Sequence, residues 1–415
     1  MHHTLEFLYG LERFGIKLGL DVVTQLLKLL GNPHHQFQSI HIAGTNGKGS
    51  VAAFCDSVLR QTGLTVGLYT SPHLIRFNER IQVNGIEITD EELVSLTELI
   101  RDKMGKLKPT FFEFTTALAF LYFAQKKVDV AVVETGMGGR LDATNVITPL
   151  VSVITNIGKD HMEYLGNSLT EIAAEKAGII KENVPVVTAA SGDALRVIRD
   201  VAAKKNAQVI EVKTARKIQQ TLEVLSFAIE EKKYTTSLLG DHQLTNAALA
   251  YGAITCVRKK FGVSDKNIID GFKATRWPGR IDILSKEPLT IIDGAHNVDG
   301  MRALAAFVKT LSNRKILLLG IAKDKEAEEM VKIIVPLFEQ VIVTEGSYKP
   351  MDVKQLASIV KTYRPVKSIK DSRKAFEKAK GLQGNEMLLI TGSLYLIGDV
   401  LSVMKKETIA AQQTF

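Results

Sequence analysis

Three groups of side chains in this sequence have types and spacings suited to handling a phosphorylated nucleotide. The first is Gly44-Thr45-Asn46-Gly47-Lys48-Gly49-Ser50, which follows the apolar residues 40–43. Glycines let backbone N–H groups approach phosphate oxygens, a following helix adds its positive end, and Lys48 supplies a cation. The general pattern G-x-x-x-x-G-K-[ST] would place glycine at position 42, which is Ile42, and Gly49 intervenes between Lys48 and Ser50. The apolar run before the loop and the helix-forming residues 51–60 after it favour phosphate binding over a chance linker. The second group is an apolar run, 128–133, that ends in Glu134 and continues as Thr135-Gly136-Met137-Gly138-Gly139-Arg140-Leu141-Asp142. A carboxylate at the end of a buried strand is where a nucleotide's Mg²⁺ is met. The third is a strand at 151–156 that delivers Gly158-Lys159-Asp160-His161 to the same carboxyl-end edge, where open α/β sheets bind ligands. His161 reads there either as a hydrogen-bonded loop residue or as a metal ligand.

Lys176 is of a different kind. It falls four residues after Ile172, three after Ala173 and four before Ile180, so it shares the apolar stripe of its helix. An inward lysine is uncommon unless paired or chemically altered. The alternative is a stem lying along apolar surface with its amine reaching water.

The elements that would carry these residues alternate strand and helix. Residues 1–39 read as helical, with Gly31-Asn32-Pro33 as the stop before the first strand. The loop helix is expected to reach about Gly63. A strand at 65–69 then runs into Thr70-Ser71-Pro72-His73-Leu74-Ile75-Arg76-Phe77-Asn78-Glu79-Arg80-Ile81, which reads as a ligand-contacting loop or as plain surface. Thr89-x-x-Glu92 and Ser168-x-x-Glu171 are capping boxes, the second opening a helix expected to reach about Ile180. Strands follow at 184–188 and 208–212, an antiparallel hairpin from the runs 221–230 and 233–239, and a long helix to about Arg258. Thr275-Arg276-Trp277-Pro278-Gly279-Arg280 breaks the pattern. Beyond it lie a strand at 289–293, a helix opened by Gly294-Ala295-His296-Asn297, and strands at 315–320, 341–345 and 387–391. The expected fold is α/β. A P-loop mononucleotide-binding domain with a mostly parallel sheet spans 1–276, a hinge 277–282, and a smaller Rossmann-like α/β domain 283–415.

Bulk properties narrow the function classes. The 415 residues suit two or three domains, and 45% hydrophobic with 24% charged residues is the composition of a soluble globular chain. No apolar run approaches the roughly 18 residues of a membrane span, and no signal pattern opens the chain. A cytoplasmic location with no membrane partner is expected. Cys55 and Cys256 are too few for a metal cluster or disulfide framework and read as core thiols. The net charge of +8 comes from scattered lysines. It suits anionic small molecules, and no recognition helix or aromatic-interleaved patch points to nucleic acid.

Taken together, the motifs resemble the folylpolyglutamate synthase and dihydrofolate synthase family, within the Mur ligase superfamily. The resemblance runs from the first helix to about Asp399. Gly44 to Ser50 is similar to the family's variant phosphate loop. Thr70-Ser-Pro-His-Leu with Glu79-Arg-Ile resembles its substrate-contacting omega loop, at about 70–84. Glu134 to Asn145, Thr155-Asn-Ile-Gly with Asp160-His161, Glu175-Lys176-Ala-Gly-Ile, His242-Gln243 with Asn246, Trp277-Pro-Gly-Arg280, Asp293-Gly-Ala-His-Asn297 and Thr391-Gly-Ser-Leu-Tyr395 complete the set.

The resemblance implies an ATP-dependent ligase that adds L-glutamate to folate, to dihydropteroate, or to both, through an acyl phosphate. It implies ATP contacts from Asn46, Gly47, Lys48, Gly49, Ser50, Asn246, Arg280 and Asp293. Ser50, Ser71, Glu134, His161 and Lys176, the last as an N6-carboxylated side chain, would ligate Mg²⁺. A monovalent cation such as K⁺ is a further candidate. The implied catalytic set is Lys48, Lys176, His161, Glu134 and His296. Ser71, Pro72, His73, Phe77, Glu79 and Arg80 would contact folate. A monomer is implied.

Overall fold

The computed structural model describes residues 1–15, 19–312 and 314–412; residues 16–18 of the expected N-terminal helical stretch lie outside these. The chain divides into two compact units. The first comprises Met1–Arg216, Phe227–Thr236 and Gln243–Thr275, the second Lys217–Ser226, Ser237–His242 and the chain from Arg276 onward.

The first unit is built on an eight-stranded sheet. Its strands are β1 (Gln38–Ala43), β2 (Val66–Tyr69), β3 (Ile81–Val83), β4 (Ile86–Glu87), β5 (Val130–Glu134), β6 (Val151–Ile154), β7 (Val186–Thr188) and β8 (Val209–Glu211), in the order β4-β3-β2-β5-β1-β6-β7-β8. Pairings are parallel from β2 to β8, and β3 and β4 add an antiparallel edge. Strand β1 is central, and all its residues but Gln38 are buried. A central parallel strand is covered on both faces, so even Ser39 and His41 are buried beside Ile40, Ile42 and Ala43. Register places Ile42 beside both Glu134 and Val153, so the chain leaves β1, β5 and β6 at one level of the carboxyl edge.

The helix Phe111–Gln125 packs under this sheet. It is opened by a Thr110/Glu113 capping box, and Phe114, Phe120 and Phe123 are fully buried among Leu8, Val23, Leu26, Leu27 and Val133. Each such ring contributes roughly 1.5–3 kcal/mol by leaving water.

A three-stranded sheet of β9 (Arg216–Gln220), β10 (Leu225–Ile229) and β11 (Lys232–Thr236) follows, in the order β11-β10-β9. The expected two-stranded hairpin therefore has a third strand, whose exposed polar residues gave no alternation to read.

The second unit carries β12 (Asp282–Lys286), β13 (Leu289–Asp293), β14 (Lys315–Leu319), β15 (Gln340–Glu345), β16 (Val366–Asp371) and β17 (Met387–Thr391), ordered β12-β13-β17-β14-β15-β16. All pairs are parallel except β12 with β13.

Three further expectations are corrected. The helix from Ser168 spans Leu169–Ala177 and stops short of Ile180: its C-cap is Gly178, a residue type that disfavours continuing a helix. The stretch 70–84 is not all loop: Phe77–Arg80 is a 3₁₀ turn and Ile81–Val83 is strand β3. Cys55 is a buried core thiol as expected, but Cys256 is only half-buried.

Candidate active site

The loop between β1 and the helix Lys48–Arg60 turns on two glycines. Gly44 has φ +152° and Gly47 has φ +85°, and a side chain at either would also collide, with Thr155 and with Asn246. The loop is braced from the next strand. Asn156 Oδ1 accepts from the Asn46 N–H at 2.8 Å, the Thr155 hydroxyl donates to the Asn46 carbonyl at 2.6 Å, and the Thr45 hydroxyl donates to the Gly158 carbonyl at 3.0 Å. Behind it, Gln243 Nε2 donates to Ser50 Oγ at 3.4 Å, and Asn246 Nδ2 donates to Gln243 Oε1 at 2.9 Å. Asn46, Gly47, Lys48, Gly49, Ser50 and Asn246 thus share one neighbourhood.

Two lysine amines converge on the loop's first carbonyl. Lys48 Nζ donates to the Gly44 oxygen at 3.2 Å, and Lys176 Nζ donates to the same oxygen at 2.9 Å. Lys176 is 4% exposed. Burial, followed by the Lys48 charge, pushes its amine down to about 7, with Asp160 and Asp142 opposing. The inward reading of Lys176 therefore holds, and the reading in which its amine reaches water does not. Glu134 is also buried, its Oε2 accepting from the Ser71 N–H at 3.2 Å and its Oε1 standing 4.0 Å from Lys48 Nζ. Ser50, Ser71, Glu134 and Lys176 line the carboxyl edge of one sheet. His161 is different: its side chain is 41% exposed, its backbone is left-handed (φ 52°), and Asp160 Oδ1 accepts from its N–H. Among the described residues, the one place where three His, Cys, Asp or Glu donors meet closely is the exposed group His2, His3 and Glu6, not His161 with Glu134.

The omega-loop residues divide by role. The Glu79 carboxylate accepts from the N–H groups of Leu74, Ile75 and Arg76 at 2.7–2.9 Å, so it closes the turn rather than facing a ligand. Arg80 is buried, lies over the rings of Phe77 and Phe111 at 5.9 and 5.2 Å, and donates through Nε to His73 Nδ1 at 2.8 Å. Burial and that guanidinium push His73 down to about 3, holding it neutral as an acceptor. Tyr9, to which the sequence gave no role, stacks on Phe111 at 6.1 Å and lies 6.5 Å from His73.

In the second unit, Asp293 ends β13 and is buried. Its oxygens accept from the N–H groups of Ile281 and Ala295, both at 2.8 Å. Burial raises its pKa, and Arg280, with those N–H groups, opposes the rise. Asp293 thereby pins the 279–282 turn to the strand, a structural use beside its expected nucleotide contact. His296 Nδ1 is 2.7 Å from the Gly294 oxygen. Asn297 caps the helix Val298–Val308.

Thr155, Asn156 and Gln243 stood in the family-like motifs without a role of their own, and a polar residue just past a parallel strand next to the loop is the signal that marks the first two. No helix in the described residues is long and apolar enough to cross a membrane.

Comparison with known proteins bears on this geometry. Residues 42–254 match the Mur ligase middle domain, and residues 279–394 match the Mur ligase glutamate ligase domain. The chain is 41% identical to the dihydrofolate synthase/folylpolyglutamate synthase of Bacillus subtilis, with 96% of this chain and 98% of that protein covered. The crystal structure of a folylpolyglutamate synthase from Thermotoga maritima superposes with a TM-score of 0.84 at 37% identity, covering 98% of each chain. E. coli FolC in complex with DHPP and ADP gives a TM-score of 0.86 at 28% identity, again over 98% of each chain.

Proposed function

The chain belongs to the Mur ligase family, in its dihydrofolate synthase/folylpolyglutamate synthase branch, and from that premise we propose which residues perform its reaction and on which acceptors. It is an ATP-dependent acid–amino-acid ligase that adds L-glutamate to a pteroate or folate carboxylate. Both dihydropteroate and folate are taken as acceptors, a reading supported by the double name of the Bacillus relative. The enzyme is read as a cytoplasmic monomer that takes no nucleic acid.

A carboxylate is a poor electrophile, so it is activated first. Its oxygen attacks the γ-phosphoryl group of ATP, the bond to ADP breaks, and an acyl phosphate forms. The α-amine of glutamate then attacks the acyl carbon, the C–N bond forms, a proton leaves the amine, and inorganic phosphate departs. The chain's part in this is positioning and charge. The backbone of 44–49 cradles phosphate oxygens at the helix N-terminus. Lys48, held beside that loop, opposes the charge on the transferring group.

The donors fit Mg²⁺. Glu134, Ser50 and Ser71 offer hard oxygens, and Glu134 is buried beside a cation that already offsets its charge. A carbamate on Lys176 would add another oxygen: the neutral amine attacks CO₂, an N–C bond forms and a proton is lost. His161, exposed and nitrogen-donating, is the weaker member of the set. Mg²⁺ held there would neutralise phosphate charge; K⁺ is kept as an additional cation. Arg280, Asp293 and His296 keep their nucleotide and catalytic assignments on the family resemblance.

The observation that carries the assignment is the meeting of Lys48 and Lys176 at the Gly44 carbonyl, with Glu134 4.0 Å from Lys48. The test is product mass spectrometry after incubation with ATP, Mg²⁺ and L-glutamate, offering dihydropteroate and tetrahydrofolate separately. A glutamate mass gain on both supports the full reading, and a gain on one restricts the acceptor. ATP hydrolysis with no gain on either, as a nucleotide switch would show, overturns it.

A further inference from the structure

The segment Gly139-Arg140-Leu141-Asp142-Ala143-Thr144-Asn145 lies just beyond Glu134. Resting on the reading that Lys176 serves turnover, we propose that Asn145 is a positioning residue that fixes Lys176, by tying the end of its helix to this segment.

Lys176 needs fixing. It is the penultimate residue of the nine-residue helix Leu169–Ala177, in the turn where helices fray and carbonyls lack intrahelical partners. Its own stem is long and flexible. The Gly178 and Ile179 N–H groups close that end with bonds of 3.3 Å to the Glu175 and Lys176 carbonyls, and the loop adds shorter ones. The Arg140 N–H donates to the Glu175 carbonyl at 2.7 Å, and Asn145 Nδ2 donates to the Gly178 carbonyl at 3.1 Å and to the Arg140 carbonyl at 3.0 Å. One amide group therefore holds loop and helix end together. Asn145 is 6% exposed, so these bonds are shielded from water, and its Oδ1 finds no partner among the described residues.

The two backbones are in direct contact. A Cβ on Gly139 would lie 2.8 Å from the Lys176 carbonyl oxygen, and one on Gly178 would lie 2.4 Å from Arg140 Cα. The Arg140–Glu175 ion pair, at 2.8 Å, spans the same join but is substantially exposed, and such pairs hold little. The buried amide is the stronger tie.

The other end of the strap reaches the strand that leads to Gly44. Lys181 Nζ donates to the Asn145 carbonyl at 2.8 Å, and the neighbouring Thr144 hydroxyl lies 2.8 Å from His41 Nε2 on β1. The helix bearing Lys176 and the strand preceding its partner carbonyl are thus fastened to one segment. A change at Asn145 would shift the amine relative to the phosphate loop without touching the loop itself.

The test compares full-length wild type with Asn145→Ala and Asn145→Asp, the latter keeping the size while removing both donors. For each, kcat, the KM values for ATP and acceptor, the melting temperature, and the ¹³C carbamate resonance in ¹³C-bicarbonate are recorded, with Lys176→Ala alongside. The expected result is kcat lowered about 10- to 100-fold at KM values within about twofold, as for a group displaced from its working position, with a weakened carbamate signal. Unchanged kcat in Asn145→Ala overturns the proposal, as does a loss of activity that only tracks a loss of folded protein. If wild type shows no carbamate while kcat still falls at constant KM, the carbamate assignment fails and the positioning role stands. A fully active Lys176→Ala removes the premise and the proposal together.

Discussion

The Lys176 amine lies 2.9 Å from the carbonyl oxygen of Gly44, although 132 positions separate the two residues in sequence. That bond brings a buried lysine to the mouth of the glycine-rich loop proposed to hold phosphate. It explains why a helix would place an amine on its apolar face.

Removing that amine should nearly abolish ligation. Lys176→Ala is expected to lower kcat by about 10²-fold or more, the scale of losing one preorganised electrostatic group. Steady-state glutamate incorporation, with circular dichroism as the fold control, checks this. Full activity would rule out any role for the side chain in turnover.

Glu134→Gln keeps the size of the side chain and removes a charged oxygen donor. The Mg²⁺ concentration giving half-maximal activity should rise by about 10- to 100-fold or more, since even outer-shell losses reach that range. A Mg²⁺ titration at saturating ATP makes the measurement, and an unchanged midpoint would take Glu134 out of the metal set.

Arg280 offsets the burial of Asp293, but that carboxylate is also held by two backbone N–H groups. Arg280→Ala should therefore cost only about 1 kcal/mol of stability, as for one hydrogen-bond-scale interaction. The KM for ATP is expected to rise about tenfold, equivalent to about 1.4 kcal/mol of lost binding. Chemical denaturation set beside ATP kinetics tests the order of the two effects, and an unaltered KM would remove Arg280 from the site.

Two buried groups give opposite pH dependences. Burial lowers His41 from 6.5 to about 3, so its contribution to stability is whole above pH 6.5 and is lost as pH falls towards 3. Burial raises Asp56 from 3.8 to about 6 despite its ion pair with Arg60, so stability is lost as pH rises between those values. Relative to wild type, His41→Gln should remove an acid-side loss, and Asp56→Asn a loss on raising pH. Each amounts to at most about 1.4 kcal/mol per pH unit inside its window. Denaturant midpoints from pH 4 to 7 would show the two differences with opposite signs, and parallel profiles would contradict the assignment.

Much of this protein was legible from local chemistry. The strand, loop and helix around Gly44 to Lys48 could be read because glycine spacing and apolar runs act over a few residues. The Thr89/Glu92 and Ser168/Glu171 capping boxes formed as expected, since their bonds close within three positions. The inward side of Lys176 followed from its place in the helical repeat. Strands β4, β9, β12 and β16 were not legible. They lie at sheet edges and bury little, so their sequences carry no alternation, and their pairing depends on neighbours already in place.

The sequence alone determined which side chains were available and which element would carry most of them, because propensity, capping and periodicity are short-range. Tertiary structure decided their partners. It spent the Glu79 carboxylate on three backbone N–H groups, turned His161 outward, set Arg80 against His73, and gave Asn145 two carbonyls belonging to different segments. Those outcomes depend on distances between residues far apart in the chain, which exist only once the parallel strands have set the loops side by side at one edge of the sheet.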